Sequence, residues 1–263
     1  MVLDLVLAVV RDMLKSKIIY SFSSRLSLSE SRFRGFSMGK LKMEDVFKAL
    51  AKPLPEFELK PGRTVLLLVD FQKLVGSEGL LSEALNAGLP EMGVKEALRE
   101  YEQRVRKAVE NAQKILKTCR RKGYDIVHVK LGAQTSNPRH TAKVNRKADF
   151  ILPMDAERGR FLKEVQPVEG ELVFPKTNGG AFTGTNLDFV LRNMDIESLI
   201  VAGFLTDQCV LATAIAGADI GYDVLLVEDA CTGTTKENHD AVIRIARDVF
   251  LKVKSTEELM QIL

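Results

Sequence analysis

From Lys60 onward, short apolar runs alternate with longer amphipathic stretches. The runs at 64–69, 124–129, 171–174, 198–202, 223–227 and 249–253 are rich in Val, Ile and Leu and lack polar alternation, as strands buried on both faces do. Between the first two, Leu98, Tyr101, Val105, Ala108, Ala112, Ile115 and Cys119 recur at helical spacing, and Gly123 follows as a stop. This predicts a long helix over 94–121 with one apolar stripe. Further helices are predicted over 186–193, 207–220, 237–247 and 256–262, each where a right-handed crossover needs one. Strands and helices in this alternation predict an α/β fold: a three-layer, doubly wound sheet of six parallel strands.

Two segments depart from the pattern. Residues 21–37 are rich in Ser and Arg and poor in acids, which fits a disordered leader, a targeting peptide, or sequence upstream of a start at Met38 or Met43. Residues 1–42 are therefore expected to form a poorly structured or helical N-terminal extension, and residues 43–263 a single domain. Asp4 and Asp12 speak against an organelle transit peptide, so a cytoplasmic protein is expected, with organelle targeting left open. Residues 130–170 are polar and punctuated by Pro, longer than a crossover loop requires, and are expected to cover a site as a lid or to feed a subunit contact.

Composition narrows the function. With 46% apolar and 28% charged residues, collagen, coiled coil and wholesale disorder are excluded. The apolar stretch 2–10 is interrupted by Asp4 and stopped by Arg11 and Asp12, too short to cross a bilayer. Lys+Arg 38 against Asp+Glu 35 leaves +3, and no basic stripe interleaved with aromatics points to nucleic acid; a small-molecule partner is expected. Cys119, Cys209 and Cys231 form an odd set without C-x-x-C spacing, which favours a reducing compartment over a disulfide framework. Gly179, Gly180 and Gly184 miss the spacings of nucleotide-binding loops, so no cofactor is expected.

In an open parallel sheet the ligand crevice lies beyond the carboxyl ends of the strands, where strand order reverses. Just past the predicted strands stand Asp70, Pro175-Lys176, the stretch from Gly203 to Cys209, and the Glu228-Asp229-Ala230-Cys231 turn. Cys209 falls in the first turn of a helix that Thr206 or Asp207 would cap, where free N–H groups and the helix dipole favour an anion. A neighbouring ammonium such as Lys176 can join them in lowering a thiol from about 8.5 toward 3.5–7.5, so a resting thiolate is expected. Asp70, on a buried strand, would call for an ion pair with Lys176. Taken singly these signals are weak: a cysteine beside an Ala-rich helix is more often a small core residue, and a lysine after a strand more often points to water. Their convergence on one edge from three strands outweighs that.

Three segments in order, Val65-Leu66-Leu67-Leu68-Val69-Asp70-Phe71-Gln72, Val173-Phe174-Pro175-Lys176-Thr177-Asn178-Gly179-Gly180-Ala181-Phe182, and Leu199-Ile200-Val201-Ala202-Gly203-Phe204-Leu205-Thr206-Asp207-Gln208-Cys209-Val210, resemble the isochorismatase-like cysteine hydrolases over residues 63–253. The resemblance implies a six-stranded, Rossmann-like sheet, a catalytic triad of Asp70, Lys176 and Cys209, a cis peptide between Phe204 and Leu205, and an oxyanion hole from the N–H groups of Leu205 and Cys209. It implies a homo-oligomer. Members that cleave the vinyl ether of isochorismate do without the thiol, so Cys209 favours hydrolysis of a small-molecule amide. Nicotinamidase-like members hold a metal through an Asp-x-His cluster after the second strand, whereas this chain reads His128-Val129-Lys130-Leu131-Gly132, so no metal is expected. The stretch from Gly184 to Asn193 and the 228–231 turn resemble the branch with ureidoacrylate, biuret and N-carbamoyl amide hydrolases. A vinyl-ether hydrolase and a catalytically inactive oligomeric binding module stay open as alternatives.

Gln72 and Phe182 are expected to touch substrate, Gln72 alternatively to support its loop. Cys119 is expected to be packed in its helix stripe, Cys231 to pack or to line the pocket, and Asp229 to bond the loop at the crevice rim. His128 is expected as a satisfied core imidazole, and His239 as a local hydrogen-bonding group. His140 is expected in a solvated loop, with a substrate carboxylate as its alternative partner.

Overall fold

The computed structural model describes residues 53–263 apart from residue 248, together with Lys42, Met43, Val46 and Leu50. The expectations for residues 1–41 lie outside the described residues. The chain divides into two units, and the second, Pro53–Leu263, carries every element below.

Six parallel strands form one sheet: β1 (Thr64–Val69), β2 (Asp125–Leu131), β3 (Leu172–Lys176), β4 (Ser198–Phe204), β5 (Asp223–Thr232) and β6 (Lys252–Lys254), in the order β3-β2-β1-β4-β5-β6. Every residue of β1 and β4 is buried, as the unbroken apolar runs require of central strands. The order reverses between β1 and β4, the position where doubly wound sheets open a crevice.

The helices are α1 (Ser77–Asn86), α2 (Glu91–Lys122), α3 (Lys143–Lys147), α4 (Leu187–Asn193), α5 (Leu211–Asp219), α6 (Lys236–Ala246) and α7 (Thr256–Ile262). α2 buries the predicted stripe from Tyr101 to Cys119 and ends at Gly123, whose φ of +75° suits glycine. α2 and α7 touch each other, and α4, α5 and α6 lie in the connections that lead from β3 to β4, from β4 to β5 and from β5 to β6. α7 is closed by a reciprocal cap between Ser255 and Glu258. Among the described residues no helix is long and apolar enough to cross a membrane.

One expectation needs correction. β5 runs on to Thr232, so residues 228–231 are strand and not a turn at the edge. The extension is possible because β4 and β5 change register between Val201 and Gly203, after which Gly203 faces Cys231. α1 and α3 carry no strong periodic signal because neither buries a residue fully. Besides α3, residues 130–170 hold short 3-10 turns at Pro138–His140, Glu157–Gly159 and Lys163–Val165. The segment is tied to loops at the carboxyl edge, with Leu162 donating to the Phe71 carbonyl, Lys73 to Arg160 and Ala142 to Thr177.

Candidate active site

The strand ends bring Asp70, Lys176 and Cys209 together. Asp70 leaves β1 in the left-handed region, φ +53°, a conformation that Asp tolerates better than most side chains. Its own N–H donates to the Val129 carbonyl at 2.9 Å, and its carbonyl accepts from Gln72 at 2.7 Å. This tight turn directs the carboxylate inward, where the residue is 4% exposed. Lys176 ends β3, two strands away, and its four-carbon stem spans the end of β2; strands lie about 4.8 Å apart. Its Nζ sits 2.7 Å from Asp70 Oδ2, 3.3 Å from Cys209 Sγ and 2.9 Å from the Asn178 carbonyl, so all three donors have partners.

Cys209 stands in a widened turn, Thr206–Val210, between β4 and α5. The Phe204–Leu205 peptide before it is cis. Gly203 lets β4 come against β1 beneath the carboxylate: a Cβ there would lie 2.1 Å from the Val69 carbonyl oxygen. The turn is braced from β5 and α6. Neither Thr206 nor Asp207 caps it through its side chain. Thr206 Oγ1 lies 2.9 Å from His239 Nδ1, and the Asp207 carboxylate accepts from the Thr234 N–H and hydroxyl and from Asn238. Arg104 of α2 completes the brace through Thr232 Oγ1 at 2.9 Å and the Gly233 carbonyl at 3.0 Å. Arg104 carries no sequence signal, since its partners come from 128 and 129 residues away.

The electrostatics reverse one expectation. Burial pushes the Cys209 thiol up to about 12, with the Asp70 charge adding to the rise and Lys176 opposing it. The resting sulfur is a thiol and not a thiolate, because desolvation and a neighbouring carboxylate outweigh the ammonium. Burial also raises Asp70, against the pull of Lys176. Burial alone would lower Lys176, but the charge of Asp70 and the hydrogen bonds to Asp70 and Cys209 outweigh it and hold the ammonium above its ordinary value. Asp70 Oδ1 is buried without a hydrogen-bond partner. The arrangement is an under-satisfied carboxylate, a fixed cation and a protonated sulfur: a base, its holder and a latent nucleophile.

Other expected site residues fall elsewhere. Gln72 is fully buried and holds backbone: Nε2 donates to the carbonyls of Leu131 and Gly159 at 2.9 and 2.8 Å, and Oε1 accepts from Leu131 N–H at 2.8 Å. Every polar atom of its amide is occupied, so it supports the loop and has none left for substrate. Phe182 stacks on Tyr222, ring centroids 5.7 Å apart, and packs over Gly217. Tyr222 precedes β5, at the opposite edge of the sheet from the thiol, which places Phe182 in the wall of the fold and corrects its reading as a substrate contact. Asp229 lies within β5 and not at the crevice rim; its side chain accepts from the N–H and hydroxyl of Thr256, tying α7 down. His140 accepts the Gln134 N–H through Nε2 and lies 2.8 Å from the Asn137 carbonyl through Nδ1, leaving neither nitrogen for a ligand. His128 is buried with Nε2 2.9 Å from Glu171, while Nδ1 has no hydrogen-bond partner. Cys119 and Cys231 are buried, and burial pushes both thiols up to about 12. Among the described residues no three His, Cys, Asp or Glu side chains gather as a metal's ligands would.

Known proteins share this fold. The chain is 28% identical over 166 residues to the uncharacterized isochorismatase family protein YrdC of Bacillus subtilis, covering 59% of this chain and 82% of that protein. It is 28% identical over 187 residues to the ureidoacrylate amidohydrolase RutB of Agrobacterium fabrum, 68% of this chain and 80% of that one. Among solved structures, a cysteine hydrolase from Pseudomonas syringae superposes with a TM-score of 0.66 at 20% identity, over 80% of this chain and 96% of that one. N-carbamoylsarcosine amidase from Thermoplasma acidophilum does so with 0.55 at 22%, over 74% and 97%. The model of the isochorismatase domain matches residues 64–258, from the first residue of β1 into α7, and the chain belongs to the isochorismatase family of hydrolases.

Proposed function

We propose that the protein is a cysteine-dependent amidohydrolase that cleaves a C–N amide bond, of ureido or carbamoyl type among the candidates, in a small molecule through a thioester. The observation that carries this reading is the Lys176 ammonium held between Asp70 Oδ2 and Cys209 Sγ, at 2.7 and 3.3 Å. The names of the ureidoacrylate amidohydrolase and the N-carbamoylsarcosine amidase support the C–N bond as target.

In this reading Asp70 takes the thiol proton as the sulfur attacks the carbonyl carbon, and the carbonyl electron pair moves to oxygen. The N–H groups of Leu205 and Cys209 bind that oxyanion; one such donor is typically worth about 2.7–4 kcal/mol. When the C–N bond breaks, Asp70 returns the proton to the leaving nitrogen, which departs as ammonia or an amine. Water then gives a proton to the same carboxylate and adds to the thioester, the C–S bond breaks, and the sulfur recovers its proton. Lys176 stays charged throughout, which its raised pKa favours. The protonated resting thiol suits this sequence, since the proton the mechanism moves is present at the start.

The reading includes a cytoplasmic homo-oligomer that uses neither metal nor cofactor. Three unpaired cysteines accord with a reducing compartment. The test is an ammonia-release screen over ureides, carbamoyl amides and simple amides, with Cys209→Ser as control and intact-mass detection of the acyl-enzyme. Turnover by the wild type, lost in the control, is expected. Turnover that survives in Cys209→Ser overturns the covalent route through a thioester.

A further inference from the structure

Leu205 belongs to two places at once. Its carbonyl closes the turn that carries Cys209, accepting the N–H groups of Gln208 and Val210 at 3.0 and 3.2 Å. The same residue lines a cavity of about 630 Å3 between α1, α2 and the start of α6. The other apolar walls are Leu80 and Ala84 of α1, Leu89 of the connection, and Val94, Ala97, Leu98 and Tyr101 of α2. Leu89 is 54% exposed and α1 buries no residue fully, so this apolar surface meets water in the protein as it stands.

Most of the polar groups around the cavity are already engaged. The Tyr101 hydroxyl donates to the Val75 carbonyl, Thr234 donates to Asp207, Thr235 caps α6, and Lys236 pairs with Asp240. Two carboxylates also line it: Glu100 lies 3.8 Å from Arg104 Nε, and Glu237 accepts from its own N–H and from Thr235. Arg104 holds Thr232 and Gly233, while its Nε is buried without a hydrogen-bond partner. A ligand lodged here finds hydrocarbon and few free donors or acceptors. That selects an uncharged apolar group, in a volume ordinary for small-molecule pockets.

We propose that this cavity takes an apolar substituent on the acyl side of the substrate, a medium-length alkyl chain or an aryl ring. The substrate class is then a lipophilic carboxamide rather than a small, polar ureido acid. This inference rests on the acyl-transfer reading above. The acyl side is assigned because the acyl group stays attached to Cys209 through both half-reactions, while the amine must leave and water must enter. A walled recess beside the turn holds the retained group without obstructing that exchange.

The test is a series of primary amides from acetamide to octanamide. kcat/KM is expected to rise by about twofold to fourfold per methylene until the cavity is full, the upper value following from burial of a CH2 group. Ala84→Phe and, from the other wall, Ala97→Phe fill the cavity; each is expected to lower the octanamide-to-acetamide ratio of kcat/KM at least tenfold, and folding is checked by circular dichroism. Calorimetric titration of octanamide and acetamide into Cys209→Ser separates the cavity from the chemistry. If no amide is turned over but octanamide binds more tightly than acetamide, and the difference vanishes on adding Ala84→Phe, the cavity stands and the reaction assignment falls. Affinity independent of chain length, or a preference for octanamide that persists in both Phe variants, overturns the inference.

Discussion

Two carboxylates stand at the ends of strands beside cationic partners, and the fold shifts their pKa values in opposite directions. Glu171, just before β3 at the edge of the sheet, accepts Arg120 Nε at 2.7 Å and a second Arg120 nitrogen at 2.9 Å, His128 Nε2 at 2.9 Å and the Val168 N–H at 3.0 Å. Burial raises its pKa, but these donors, Arg120 foremost, outweigh it and hold the group at about 2. Asp70, at the centre, has one oxygen on Lys176 and the other without a hydrogen-bond partner, and burial raises its pKa. The partner cations differ less than the number of donors does. A saturated carboxylate is a structural tie whose charge is fixed, whereas a buried one left short of donors can accept a proton.

The widest separation between the two is expected in catalysis. Asp70→Asn should lower kcat by about 10²–10⁴, the range of a lost general base, while Glu171→Gln should leave it within about threefold; equal losses in ammonia release would break the comparison. Next comes the cation. Lys176→Met leaves a buried carboxylate unpaired and should cost about 3–5 kcal/mol at neutral pH in urea unfolding. Because the folded-state pKa of Asp70 is raised, that penalty should shrink as pH falls and the carboxyl takes up a proton; a deficit that stays constant down to pH 4 would count against the assignment.

The edge cluster should also matter less in acid, but from a pKa shifted in the opposite direction. The folded pKa of Glu171 is depressed, so its contribution is present above its unfolded value near 4.5 and lost as pH falls toward about 2. Glu171→Gln should therefore destabilise by about 1–2 kcal/mol at pH 7, moderated by solvent at the sheet edge, and by progressively less in acid. Thermal melts at several pH values check this. The smallest expected effect is Arg120→Lys, about 1 kcal/mol at pH 7, since lysine gives up the two-pronged grip on Glu171.

The strands and the long helix were legible because their signal is local. A run such as residues 64–69, apolar at every position, has few destinations other than a two-sided core, and the stripe of α2 needs no knowledge of its partner. α1 escaped notice for the complementary reason, since a helix that buries no residue fully imposes little periodicity on its sequence. The end of β5 was misplaced because its last residues pair only through a register change in β4. The braces of Arg104 and Gln72 depend on carbonyls that the fold delivers from distant segments, and nothing beside either residue announces them.

By itself the sequence determined the parallel sheet, the run of strands and helices, and the three residue types placed at strand ends, since burial on two faces and the helical repeat are written in neighbouring positions. Only the tertiary structure decided that Lys176 reaches across β2 to join Asp70 and Cys209, that the sulfur rests protonated, and that Gln72 and Phe182 serve the framework. Those outcomes depend on desolvation and on which groups lie within a few ångströms, and both are properties of the assembled chain.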